Sequence, residues 1–166
     1  MATGLPQQPS LKREWWGPRF WNVLHTLAEA SGGMNSPILS NDEADAWKLL
    51  LKAQTFVMPC AVCQKHFTEW KLAHRIPELR GILGLERRAW LRHWLWGCHC
   101  RVNELQSKES PCEEILPDLF KKERLDEPMA DLISMFRLAT QQGTLKYEDT
   151  VSWRNAIGKL RSLYGI

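Results

Sequence analysis

The sequence predicts an all-α fold, most simply a helix bundle with additional helices at its C-terminal end. Two observations support this prediction. Apolar residues recur at helical spacing along most of the chain, and no segment alternates apolar and polar residues as a half-buried strand does. With 166 residues, of which 44% are apolar and 25% are charged, the chain has the size and composition of one globular domain.

The composition gives little support to nucleic-acid or membrane binding. The formal net charge is +3 and the basic residues are spread along the chain. No run approaches the roughly 20 apolar residues needed to cross a bilayer, and the first residues carry no apolar signal region. We therefore expect a soluble protein of the cytoplasm.

Start and stop signals place the first helices. Residues 1–12 read as a flexible polar tail, followed by a helix over "GPRFWNVLHTLA" with Pro18 in its first turn and Gly32 at its exit. Ser40 followed by Glu43 has the spacing of a capping box, which predicts the start of a second helix that stops before Pro59.

The remaining elements are also helical. A third helix is expected from about Cys60 through "AVCQKHFTEWKLA", and a fourth over "LERRAWLRHWLWGCHCRVNEL". "LPDLF" is ambiguous, whereas "PMADLISMFRLAT" and "EDTVSWRNAIGKLRSLY" each show helical periodicity. We expect residues 116–166 to form a helical extension that packs on the same domain.

Five cysteines, at positions 60, 63, 98, 100 and 112, cannot all pair within one chain. In a helix, Cys60 and Cys63 share one face in the first turn, where the helix dipole and unpaired N–H groups favour a thiolate. A redox dithiol, half of a zinc site and a pair of inert buried thiols all fit this spacing.

Two pairs at i, i+4 spacing indicate a ligand slot. Trp21 with His25, and His99 with Asn103, would each place a ring and a hydrogen-bonding group one turn apart. Ordinary core packing explains either pair alone, but both pairs on helices flanking the dithiol favour a cofactor slot between helices. The segment "CHCRVNELQSKESPC" fits either further zinc ligands or a disulfide from Cys112 to the fourth helix.

Four separated motifs together resemble the Erv/ALR family of flavin-linked sulfhydryl oxidases. They are "WGPRFWNVLHTLA" (16–28), "PCAVCQKHF" (59–67), the group Trp94, His99, Val102 and Asn103, and the pair Lys108 and Cys112. Their order and spacing are close to those of the family over residues 15 to 112, and the wording is most similar to members encoded by large DNA viruses.

The resemblance implies a four-helix bundle with a short capping helix, a domain over residues 13–115 and an FAD cofactor between helices. It also implies a homodimer formed through the first two helices. The cofactor contacts that it implies are Gly17, Arg19, Trp21, His25, Phe67, His99, Val102, Asn103 and Lys108.

By the same resemblance, Cys60 and Cys63 are catalytic. Cys60 takes electrons from dithiol protein substrates, Cys63 lies beside the flavin, and molecular oxygen is the final acceptor and gives hydrogen peroxide. A structural disulfide is expected at Cys100–Cys112, with Cys98 unpaired. The alternative function is a zinc-stabilised helical adaptor that uses Cys60, Cys63, a histidine (His66 or His99) and Cys112.

Overall fold

The computed structural model describes residues 8–121 and 125–166, and these residues form helices and no strand. The all-α prediction is confirmed. Residues 1–7 of the predicted tail lie outside the described residues. The helices are α1 (Arg13–Ala30), α2 (Pro37–Gln54), α3 (Ala61–Ala73), α4 (Gly84–Leu105), α5 (Leu116–Leu119), α6 (Asp126–Gln141) and α7 (Tyr147–Tyr164), with 3₁₀ turns at Leu79–Gly81 and Glu113–Ile115.

α1 begins one turn earlier than the sequence predicted. Pro18 lies inside the helix rather than in its first turn. The added turn is held by the backbone N–H groups of Trp15 and Trp16, which donate to the Lys12 carbonyl at 2.9 and 3.3 Å. The Trp16 indole also donates to the Leu11 carbonyl at 3.1 Å. Burial of Trp16 in the core favours this turn over a start at proline.

α2 also begins earlier, and the predicted capping box at Ser40 and Glu43 is wrong. The N-cap is Ser36, whose hydroxyl accepts the Leu39 N–H at 3.2 Å, and Pro37 occupies the first helical position. Proline there has its φ angle already fixed for a helix, which makes Ser36 the better cap. Ser40 and Glu43 lie within α2 and make tertiary contacts instead.

The helices predicted around the cysteines are confirmed. Cys60 is the N-cap of α3, and α4 covers the predicted Trp-rich segment. The ambiguous "LPDLF" segment forms the single turn of α5. α6 and α7 coincide with the two periodic segments near the C-terminal end.

α6 and α7 pack on the first two helices. α7 runs antiparallel to α2, because Trp153 near its start donates to Gln54 at 2.7 Å and Tyr164 at its end contacts Trp47. Phe20 of α1, Phe136 of α6 and Trp153 form an aromatic cluster with ring centroids 5.3 to 6.1 Å apart. Such contacts join the C-terminal helices to the core.

A buried ion pair joins the helices at the other end of α2. Glu43 and Arg87 both have fully buried side chains, and Arg87 Nη1 donates to Glu43 Oε2 at 2.6 Å. The second oxygen of Glu43 accepts the Tyr164 hydroxyl at 2.7 Å and the Gly32 N–H at 2.9 Å. The Trp47 indole donates to the Tyr164 oxygen at 2.9 Å. Burial and the neighbouring carboxylate raise the pKa of Tyr164, which keeps its hydroxyl a donor.

We predict that Tyr164→Phe lowers the free energy of unfolding by about 1–3 kcal/mol. The substitution leaves the buried Trp47 indole without an acceptor and Glu43 with one donor fewer. Tyr147→Phe is the matched control, because this side chain is exposed, and its effect should stay within about 0.5 kcal/mol. Urea unfolding followed by tryptophan fluorescence measures both; equal effects of the two variants would contradict the assignment.

Candidate cofactor site

A cavity of about 530 Å³ lies between α1, α3, α4 and the segment that follows α4. Its volume is in the range of ligand sites, about 300–1,000 Å³. The predicted site residues that line it are Gly17, Trp21, Cys63, Phe67, His99, Val102, Asn103 and Lys108. A second groove of about 510 Å³, along α2 and α7, is lined by neither cysteine nor histidine.

The dithiol lies at one wall of this cavity, in oxidised form. Cys60 and Cys63 are joined by a disulfide with a Cα–Cα distance of 5.2 Å. Cys60 caps α3, and its sulfur accepts the backbone N–H of Cys63 at 3.2 Å. Both residues are half-buried, and Cys63 lines the cavity whereas Cys60 does not. The disulfide therefore connects the protein surface with the cavity.

A stack of rings forms another part of the site. The Trp21 and His99 rings are nearly parallel, with centroids 4.1 Å apart. His25 Nε2 lies 3.1 Å from His99 Nδ1, and the buried His25 ring also stacks on Phe120 at 4.6 Å. His25 does not line the cavity. It lies behind His99 and orients that ring.

Both imidazoles are neutral near pH 7. Burial, and then the neighbouring His99, lower the pKa of His25 to about 3. Burial, and then the positive charge of Lys108, lower the pKa of His99 to about 4. A neutral imidazole has one donor and one acceptor nitrogen. The hydrogen bond between the rings uses His99 Nδ1, so His99 Nε2 is available to a ligand.

Asn103 fixes the segment that carries Lys108. Its side-chain amide donates to the Ser110 hydroxyl at 3.0 Å, and its backbone carbonyl accepts the Lys108 N–H at 2.8 Å. Lys108, Arg101 and Arg13 all line the cavity. Three cationic side chains at one cavity suit a ligand that carries phosphate groups.

Trp70 contributes a polar group that the sequence did not indicate. Its indole nitrogen is buried and has no hydrogen-bond partner, and the residue lines the cavity. The ring packs against α4 at Gly97, where a Cβ atom would lie 2.9 Å from the indole edge. An unsatisfied donor at a cavity is a ready partner for a ligand oxygen or nitrogen. Trp70 lies seven residues after Cys63, a spacing that places both on one face of α3.

Arg19 lies elsewhere than predicted. It does not line the cavity; its Nε donates to Asp131 of α6 at 2.8 Å, and its guanidinium stacks on Trp15 at 3.9 Å. Arg19 is two residues from Trp21, which turns it roughly 200° around α1. In this structure it joins α1 to α6.

The predicted Cys100–Cys112 disulfide is not formed in the structure, where Cys98, Cys100 and Cys112 are free. Cys98 is buried and lines the cavity, and burial raises the pKa of its thiol. The segment carrying Cys112 runs along α4, because Trp96 donates to the Pro111 carbonyl at 2.9 Å. Cys100 lies one turn after Trp96, on the same face of α4, and its pairing with Cys112 stays a prediction.

The fold and this cavity define a helical protein with a dithiol beside a cofactor-sized site. The family model described as "Erv1 / Alr family" matches residues 18–124, and the chain belongs to this family. Members are generally flavin-linked sulfhydryl oxidases. Comparison with curated proteins and with solved structures gave no match.

Two further properties concern the described residues only. In 8–121 and 125–166, no group of three histidine, cysteine, aspartate or glutamate side chains is arranged to hold a metal ion. Within the same part of the chain, every helix is too short or too polar to cross a membrane.

We predict opposite effects of alanine at two helical glycines. Gly97→Ala should lower the free energy of unfolding by about 1–3 kcal/mol, because the new methyl group overlaps the Trp70 ring. Gly158→Ala in α7 meets no atom within 4 Å and should raise it by about 0.5–1 kcal/mol. Urea unfolding compares the two, and stabilisation by Gly97→Ala would refute the close packing.

We also predict that acid destabilises the protein through the histidine pair. The unfolded state binds more protons below about pH 6.5, because the folded-state pKa values are about 3 and about 4. The contribution of the neutral histidine pair to the free energy of unfolding is fully present above about pH 6.5, and it is lost as the pH falls toward the folded-state pKa values. His25→Gln should make the slope between about pH 6.5 and 5 shallower, by up to about 1.4 kcal/mol per pH unit.

Urea unfolding at several pH values measures this slope. His93→Gln, which removes an exposed histidine from α4, is the matched control. Identical slopes for the wild type and His25→Gln would show that His25 is not held neutral by the fold.

Proposed function

We propose that this protein is an FAD-dependent thiol oxidase that forms disulfide bonds in protein substrates and passes the electrons to molecular oxygen. The observation that carries the proposal is the Cys60–Cys63 disulfide, which spans from the surface to a cavity of about 530 Å³. Membership of the Erv1/Alr family supports the same chemistry.

The side chains of the cavity are chemically suited to FAD. The Trp21–His99 stack offers a flat aromatic surface. The cations Lys108, Arg101 and Arg13 suit a diphosphate. The buried, unpartnered Trp70 indole needs an acceptor, and the flavin ring system carries several. When bound, FAD supplies two-electron chemistry between a dithiol and oxygen, with hydrogen peroxide as product.

The two cysteines have different tasks. A substrate thiolate attacks Cys60, the sulfur on the surface side, and the bond to Cys63 breaks with its electron pair on Cys63. The second substrate thiolate then attacks the mixed disulfide, so the substrate leaves oxidised and the enzyme dithiol is reduced. The Cys63 N–H directed at the Cys60 sulfur stabilises negative charge there.

Other side chains at the cavity position the residues that we propose to contact the cofactor. His25 holds the His99 ring through the 3.1 Å hydrogen bond, and both rings stay neutral, so they add no positive charge to the cations at Lys108 and Arg101. Asn103 holds the segment that carries Lys108. We propose that His99, Asn103, Trp21 and Lys108 contact the cofactor directly and that His25 acts through His99.

Several finer predictions accompany this proposal. The homodimer through the first two helices and the cytoplasmic or virion location stay predictions. α6 and α7 already cover part of α1 and α2, so a dimer would use the faces that remain exposed, among them the side of α2 with Ile38 and Leu49.

We predict that the purified protein shows a flavin absorption spectrum that bleaches with dithiothreitol, and that the protein then consumes oxygen. Cys63→Ser should retain the flavin and lose at least about 100-fold in oxygen uptake, because the thiol facing the cavity is absent. Tyr147→Phe is the control with unchanged uptake. A colourless protein that carries zinc would overturn the proposal, and an active Cys63→Ser variant would overturn the role of Cys63.

A further inference from the structure

We infer that His66 is the proton acceptor for Cys63, and that its imidazolium holds Cys63 as a thiolate once the disulfide has been opened. This inference rests on the proposed oxidase function and adds a residue to that site. The dithiol motif itself contains no base, so each thiolate needs a stabilising group from its surroundings.

His66 and Cys63 lie together on the cavity. They are three residues apart on α3, a spacing that makes side chains neighbours on one helix face, and both line the cavity. His66 is half-buried. Among the described residues its imidazole has neither a hydrogen bond nor an ion pair, in contrast to His25 and His99, which bond each other. Its nitrogens are therefore available to Cys63 and to water.

Other charged groups around the cavity are less suited to this task. On α3 itself, Lys65 and Glu69 lie 3.9 Å apart as an exposed pair, and His66 is the one ionisable side chain besides Cys63 that the described part of α3 contributes to the cavity. The ionisable groups that line the cavity from other elements are Glu14 and Arg13 of α1, Cys98, His99 and Arg101 of α4, and Lys108. Burial raises the pKa of the Cys98 thiol, which therefore stays protonated near pH 7. Glu14 would disfavour a thiolate, His99 is bonded to His25, and the arginines and the lysine do not exchange protons readily near pH 7.

The two sulfurs then have separate stabilising groups. Cys60 receives the backbone N–H of Cys63 at the start of α3, whereas no backbone donor within residues 8–121 and 125–166 bonds the Cys63 sulfur. When the substrate has been oxidised, its two thiols have released two protons and two electrons. One proton goes to the Cys60 thiol and the other to the His66 imidazole, which leaves Cys63 as a thiolate beside an imidazolium.

The test measures thiolate formation at each cysteine separately. In a Cys60→Ser background, the rate of Cys63 alkylation by iodoacetamide is followed against pH by mass spectrometry, with and without His66→Gln. We expect His66→Gln to raise the midpoint by about one pH unit, so that alkylation near pH 7 is about tenfold slower. In a Cys63→Ser background, His66→Gln should change Cys60 alkylation less than twofold, because the helix start is intact.

The outcomes separate this inference from the proposed function. An unchanged Cys63 midpoint, or an equal shift at both cysteines, would overturn the role of His66 while leaving an active wild-type oxidase in place. His66→Asn must reproduce the His66→Gln result, and His93→Gln must not. The alkylation rate can be measured in an enzyme that does not turn over. A wild type that takes up no oxygen would overturn the oxidase proposal, but the role of His66 would still be tested by alkylation. In an active enzyme, His66→Gln should keep its flavin and recover turnover as the pH rises.

Discussion

The buried carboxylate of Glu43 is the constraint on which the rest of the structure depends. Both members of the Glu43–Arg87 pair have fully buried side chains, and a buried charge that lacks its partners costs several kcal/mol. Three residues from other elements donate hydrogen bonds to the Glu43 carboxylate: Gly32 after α1, Arg87 of α4 and Tyr164 of α7. These donors are satisfied together only when α1, α2, α4 and α7 are assembled, so one acid specifies the arrangement of the helices around it.

That arrangement also builds the site. α1 and α4 bring Trp21 and His99 into a parallel stack, and α3 begins at the dithiol beside the same cavity. Both cysteines of the disulfide are half-buried, and Cys63 lies on the cavity whereas Cys60 does not, which is the arrangement that the proposed thiol oxidase requires. The neutral His25–His99 pair fixes the orientation of the His99 ring and adds no positive charge to the cavity.

Sequence patterns predicted the helices where the signal is periodic, as in α3, α4, α6 and α7. Eight of the predicted site residues line the cavity. The failures have tertiary causes. Ser40 and Glu43 match a local cap, but Glu43 pairs with Arg87, which lies 44 residues away. The predicted cofactor contact of Arg19 stays a prediction; in the structure its guanidinium donates to Asp131, which lies 112 residues further along the chain. Trp70 was missed although it lies on the Cys63 face of α3, because a tryptophan at helical spacing usually signals core.

The position of Tyr164 in the chain has a consequence for biosynthesis. Residues up to 115 carry the dithiol and most of the cavity, but the hydroxyl that completes the Glu43 site arrives with α7. At ribosomal speeds of about 5–20 residues per second, this delay is on the order of 2–10 s. Throughout that interval the Glu43 carboxylate lacks one of its donors, so the synthesis of α7 completes the bundle that carries the dithiol.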